Sequence, residues 1–195
     1  KDASRFLAVL LKKRADALPE GQQMLRDRML IETRSVYESL VGQANPVVID
    51  LYRYATFLID SDEKQDLPKV EGLLHQLQSM KEGTLAALEI GVRYAGKMGE
   101  HDSAPEIVNS WAERAFENGM LEDGSVSSIA GGTLLKLGFV DAGIEWFERA
   151  YKEDPKTLTN YVVALNRVGR VEESVKVCAK HFKQNTDVLS ANLLF

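Results

Sequence analysis

The sequence predicts an all-α chain built as an array of stacked helical hairpins. Three observations carry that prediction. Apolar residues recur at intervals of three and four along most of the chain, the period of a helix with one buried face. Four of the five prolines, Pro46, Pro68, Pro105 and Pro155, stand where helices would start, and Gly42, Gly99, Gly119, Gly138 and Gly169 stand where they would end. That is the asymmetry of chains in which Pro opens a helix and Gly closes one. Short blocks also return: Trp111-Ala112-Glu113-Arg114-Ala115 comes back 35 residues on as Trp146-Phe147-Glu148-Arg149-Ala150, and Gly138 comes back 31 residues on as Gly169. A recurrence of that length marks helix pairs that bury their apolar faces against their neighbours.

The chain opens with KDASRFLAVLLKKRADAL. This reads as a helix with Phe6, Val9, Leu10 and Leu11 on its inner side. Lys12, Lys13 and Arg14 at its end suit the helix dipole. Asp2 and the short apolar run do not make a signal peptide, and the missing Met leads us to expect an excised or processed chain. Pro19-Glu20-Gly21 is a turn. A helix is expected from about 22 to 41, with Leu25, Met29, Leu30, Val36, Tyr37, Leu40 and Val41 inward and Gly42 closing it. Asn45-Pro46, cap then Pro, opens the next, which carries Val48, Leu51, Tyr52, Ala55, Phe57, Leu58 and Ile59. Ser61 to Lys64 is a solvated loop.

Asp66-Leu67-Pro68 begins a helix with Val70, Leu73, Leu74, Leu77 and Met80 inward. Beyond Gly83 lies LAALEIGVRYAGKMG, where Ala86, Gly91 and Ala95 permit close packing. Ser103-Ala104-Pro105-Glu106 is a capping box; its helix runs to Asn118, and Gly119 ends it. Asp123 caps VSSIAGGTLLKL. Two Gly inside a helix cost roughly 1–2 kcal/mol relative to Ala, so Gly131-Gly132 needs a reason, and close helix packing supplies one. Gly138 follows as a C′ residue that takes positive φ without strain. The next helix places Val140, Ile144, Phe147, Ala150 and Tyr151 on one face, and Asp154-Pro155 stops it and starts another. A helix from Val171 to Lys183 comes next, and Asn185-Thr186-Asp187 restarts one at Val188. The last repeat of a solenoid should end on a polar face. This chain ends on Leu193-Leu194-Phe195, so we expect the tail either to fold back or, as the leading reading, to pack on a missing part of a larger chain.

Gly138, Gly143, Phe147, Ala150 and Pro155 together resemble the second helix of a tetratricopeptide repeat: Gly between helices, a small residue, an aromatic four later, Ala three after that, and a closing Pro. In the repeat's first helix the small residue is Gly131, while the aromatic position falls at Ser127. In the following repeat Gly169, Ser174 and Cys178 take the corresponding places. The resemblance is clear for about residues 83 to 185 and architectural only before that. It implies a right-handed α-α superhelix of about five helical hairpins plus a terminal helix, in one continuous array. Residues 1–82 would form degenerate hairpins, and 83–195 the recognisable repeats and terminal helix.

Composition excludes several functions. A net charge of −5 argues against a phosphate-backbone binder, which needs a basic field. No apolar run approaches the ~20 residues that cross a bilayer. The lone Cys178 cannot make an internal disulfide and falls on an apolar face, as a small core residue does. One Cys fits any compartment, and a soluble, cytoplasmic protein is the expectation. His75, His101 and His181 lie in three different segments, none with a ligand at zinc spacing. Neither a phosphate loop nor a nucleophile elbow is present. No metal, cofactor or catalytic residue is expected.

What remains is surface. In tetratricopeptide arrays the first helix of each pair lines a concave groove that holds an extended peptide or a partner helix. Placing the repeats by their glycines puts Glu89, Arg93 and Lys97 on the groove side of one helix. The next contributes Ser128, Leu135 and Lys136, and the third Thr159, Val163, Asn166 and Arg167. Arg93, Lys97, Lys136, Asn166 and Arg167 are the partner-binding candidates. Their cations would form a basic stripe suited to an acidic partner. The family's clamp for C-terminal carboxylates needs Lys and Asn where Thr159 and Val163 stand in the last repeat, so that activity is not expected. The expected function is a non-catalytic protein–protein interaction scaffold or adaptor. A regulatory segment of a larger enzyme and a helical-repeat nucleic-acid binder are the alternatives, the latter opposed by the acidic balance.

Overall fold

Where the backbone of a helix runs out of partners, the sequence supplies a stop, and these stops set the architecture. The computed structural model describes residues 2–61, 63–117, 119 and 123–184, the side chains of 123 and 184 excepted. Among them are ten α-helices and no strand: α1 (Asp2–Asp16), α2 (Gln23–Val41), α3 (Val48–Asp60), α4 (Leu67–Ser79), α5 (Thr84–Met98), α6 (Ala104–Glu117), α7 (Asp123–Lys136), α8 (Val140–Glu153), α9 (Leu158–Arg167) and α10 (Val171–Gln184). Short 3-10 turns lead into α4, α5, α6 and α9. No helix among the described residues is long and apolar enough to cross a membrane. The chain divides into two compact units, Lys1–Gly99 and Glu100–Phe195. Helix α5, read from the sequence with the later repeats, belongs to the first.

In the first unit α1 packs on α2, α2 on α3, and α3 and α4 on α5. Its core runs through Leu40, Leu51, Leu58, Val70, Leu77 and Ile90. Tyr37, Tyr54 and Phe57 stack at its centre, with ring centroids 5.7 to 6.5 Å apart. Two arginines tie helices together from the edges. Arg5 on α1 reaches both oxygens of the buried Asp50 on α3, at 2.7 and 2.8 Å. Arg34 on α2 grips Asp66 at 2.6 and 2.7 Å with its guanidinium over the Phe57 ring.

The first helix departs from the sequence reading. Phe6, Val9 and Leu10 are exposed, and it is Ala8 and Ala15 that are fully buried. The ion pair from Arg5 to Asp50 fixes the roll of α1. Arg26 on α2 adds to it by donating to the carbonyls of Ala15 and Leu18. Arg5, Ala8 and Ala15 share one face by spacing, so the small residues meet α2 and the large ones turn away.

Two expected caps, before α3 and before α6, also differ, and the residue that opens α4 does not cap it. Helix α3 begins at Val48, two residues past Pro46, with no side-chain cap. The Asp66 side chain caps nothing, because Arg34 holds it. Ser103 Oγ donates back to the Glu100 carbonyl, at 2.7 Å, where a capping box would have it accept. At Asp154-Pro155 the reading holds: the Asp154 carboxylate accepts from the Lys156 amide at 3.0 Å. The cap expected of Asp123 and the helix expected at Val188 lie outside the described side chains and residues.

The second unit runs α6 on α7, α7 on α8, α8 on α9 and α9 on α10. The turns after α7 and α9 are copies of each other. Gly138 has φ +90° and Gly169 has φ +80°. The Phe139 amide donates to the Leu134 carbonyl at 3.0 Å and the Arg170 amide to Leu165 at 2.9 Å. Gly138 donates to Leu135 and Gly169 to Asn166, at 3.2 and 3.1 Å. Both are Schellman turns, in which a left-handed C′ residue satisfies the last carbonyls of the helix. Between α7 and α8 the backbones nearly touch. A Cβ on Gly131 would stand 2.8 Å from the Gly143 carbonyl oxygen and 2.8 Å from the Phe147 ring; one on Gly143 would stand 2.8 Å from Leu135. Ser127, at the repeat's aromatic position, is buried, and its hydroxyl donates to Glu153.

Candidate functional site

Close approach of α7 to α8 leaves the outer sides of α7 and α9 facing each other across a cleft of about 500 Å³. Its floor is apolar: Leu135, Phe147, Val163, Ala164 and Val168 line it. Four polar side chains stand around the floor, Ser128 and Lys136 from α7 and Asn160 and Arg167 from α9. The spacing of Asn160, Val163 and Arg167 is that of one helix face. Lys136 and Arg167 sit in the last turns of their helices, where the negative end of the dipole favours a cation. Both are exposed, and neither has an acidic partner among the described residues. Ser128 Oγ is buried and has no hydrogen-bond partner among them either.

The predicted groove residues therefore separate. Ser128, Leu135, Lys136, Val163 and Arg167 meet at the cleft. Asn166 does not line it; its side-chain oxygen accepts from Ser174 on α10, at 2.7 Å. Thr159 does not line it, and Asn160, its neighbour, does. Arg93 and Lys97 belong to the first unit. Arg93 is occupied there: it donates to Asp60 at 2.6 Å and approaches Thr56 and Glu89. Asn160 was missed because the helical phase of α9 fits either residue until Val163 and Arg167 are taken as the reference.

A second cleft, about 450 Å³, lies among α1, α2 and α3. Its cations are internally satisfied. Lys12 pairs with Asp16 at 2.6 Å, Arg34 with Asp66, and Arg26 with main-chain carbonyls. Such a surface offers a ligand little charge, and this sets the α7–α9 cleft apart.

Cys178, Tyr161 and His181 of the second unit are buried, while His101 is exposed. Burial pushes the Cys178 thiol up, away from the thiolate that reacts, and Cys178 packs on Leu158 and Val162. Burial also pushes the Tyr161 phenol up to about 12, with Glu148 and Glu173 adding to it. His181 is buried with Nδ1 3.0 Å from the Tyr151 hydroxyl. His101 Nε2 lies 3.2 Å from the Leu137 carbonyl, and its ring stacks on Phe139. No group of His, Cys and acidic side chains among the described residues could hold a metal ion. No protein-family model matches the chain, and neither does any curated protein.

Proposed function

We propose that this chain is a tetratricopeptide-like helical-repeat module whose α7–α9 cleft holds an acidic peptide, extended or helical, without acting on it chemically. The observation that carries the reading is the pair of cations Lys136 and Arg167, without acidic partners among the described residues, at the rim of an apolar floor. A ligand that places a carboxylate between them and an aliphatic side chain on Leu135 and Val163 meets both demands at once. The Asn160 amide would take main-chain groups of an extended strand. Support for the repeat comes from the Gly131–Gly143 approach, filled by Phe147, and from the Schellman turn copied 31 residues on. A disordered ligand must be ordered on binding, so affinity should be modest, on the order of micromolar.

The test is fluorescence anisotropy with a set of labelled peptides that combine Asp or Glu with Leu, against the same set carrying Lys in place of the acids. Acidic peptides should bind and basic ones should not. The double variant Lys136→Glu/Arg167→Glu should lose at least tenfold in affinity, while Arg93→Gln in the other unit should bind like the parent. If no acidic peptide binds, or if the double reversal has no effect, the cleft is not the site.

A further inference from the structure

The side of α1 turned away from α2 is apolar. Phe6 is 64% exposed, Leu7 43%, Val9 38% and Leu10 46%. Single exposed apolar side chains are ordinary, but four large ones within five residues form a patch that calls for a partner. The charges beside it are ordered along the helix. Asp2 is in the first turn, and Lys13 and Arg14 are in the last. Asp2 and Lys13 are eleven residues apart, close to three full turns, so they lie on the same flank of the patch. Lys13 has no ion-pair partner among the described residues. Among the described residues Asp2 pairs only with Arg5, three residues on, at 2.9 Å, an exposed pair of the kind worth little; Arg5 is in any case held by Asp50.

Two copies of such a helix fit each other in one direction. Laid antiparallel, each Asp2 meets the other's Lys13 at both ends, Phe6 and Leu10 interleave between them, and the helix dipoles oppose. Laid parallel, like charges meet. We propose that two copies of this chain associate through the outer face of α1 in an antiparallel, two-fold symmetric contact. An interface of this kind uses the same patch on both subunits. Helix α1 is about 22 Å long, so the contact falls below the roughly 800 Å² per partner of a standard interface. The dimer should dissociate in the micromolar range, about 1 to 100 µM. An anionic membrane surface would also accept Phe6, Leu10, Lys13 and Arg14, but it would repel Asp2, which a second copy pairs.

Sedimentation velocity on the whole chain over about 1 to 200 µM tests this. The expected result is a concentration-dependent shift from monomer to dimer. Leu10→Glu should remain monomeric throughout with its helical circular dichroism unchanged. Lys13→Asp should weaken association about tenfold, and Asp2→Lys/Lys13→Asp should restore it. That reciprocal pair decides the matter even if Leu10→Glu perturbs the helix. A monomer at every concentration would overturn the proposal, as would failure of the double reversal to restore association. So would loss of the dimer when residues 188–195 are removed, or binding to vesicles of phosphatidylserine and phosphatidylcholine without any self-association.

Discussion

Gly131 and Gly132 are chemically identical neighbours with opposite roles. A methyl added to Gly131 would meet the Gly143 carbonyl and the Phe147 ring at 2.8 Å, whereas one added to Gly132 would meet nothing within 4 Å. Replacing Gly by Ala in a helix gains about 1 kcal/mol of propensity. Overpacking a tight contact costs about 1–3 kcal/mol. Gly132→Ala should therefore raise the urea midpoint by up to about 1 kcal/mol equivalent, and Gly131→Ala should lower it. Phe147→Ala, which empties the space beside Gly131, should cost about 3–5 kcal/mol. If both glycine variants shift the midpoint in the same direction, the helices are not in the register described. Gly131 was legible in the sequence because two glycines in a helix need a reason; that reason applies to only one of them, and the difference is tertiary. Lys136 and Arg167 were legible as groove-side cations once the repeats were placed by their glycines. Arg93 looked the same in the sequence, because nothing local announces that Asp60, 33 residues earlier, will take it.

Among the described residues the helices themselves were readable, and the roll of α1 was not. The apolar period fixes which residues lie on a common face, but α1 has large apolar side chains on more than one side. Its roll is decided by Arg5 meeting Asp50, a contact 45 residues apart in sequence. A second long-range pair offers a test at this scale. Arg34 joins α2 to the start of α4 through Asp66, with the arginine side chain 25% exposed and the aspartate 7%. The guanidinium holds the Asp66 carboxyl below its ordinary range, helped by Ser61, which is about 3.9 in model peptides. Breaking a fully buried pair costs 3–5 kcal/mol. The partial exposure of Arg34 reduces this, so Asp66→Asn should cost about 1–3 kcal/mol at pH 7. Because the folded-state value is lowered, the contribution is complete above the unfolded value and is lost as pH falls through the folded one. The gap in urea stability between parent and variant should therefore be constant from about pH 7 to 5 and close below about pH 4. A gap that persists at low pH would show that the pair contributes through packing and not through charge.

At the scale of the molecule, local similarity and compactness divide the chain differently. Repeat-like blocks begin near Gly83, yet Ala87 and Ile90 of α5 are buried with Val70 and Leu77, and the first compact unit extends to Gly99. Pattern matching reports resemblance between segments, while burial reports which neighbour each segment uses. The overall charge bears on the proposed cleft in the same way. The chain carries −5 while the cleft presents Lys136 and Arg167, so an acidic peptide is repelled at long range and attracted at contact. Salt screens these unequally. The Debye length is about 10 Å at 0.1 M, so the distant repulsion fades first and the direct pairs, closer than that length, fade later. A nucleic-acid binder instead loses affinity steeply, in proportion to the phosphates it neutralises. For an acidic peptide we expect affinity to change less than about threefold between roughly 50 and 200 mM salt and to fall only above that. Single-stranded RNA should show no electrophoretic shift even at low salt. A steep loss of peptide affinity from the lowest salt upward, or retention of the RNA, would show that a basic field dominates this surface despite the net charge.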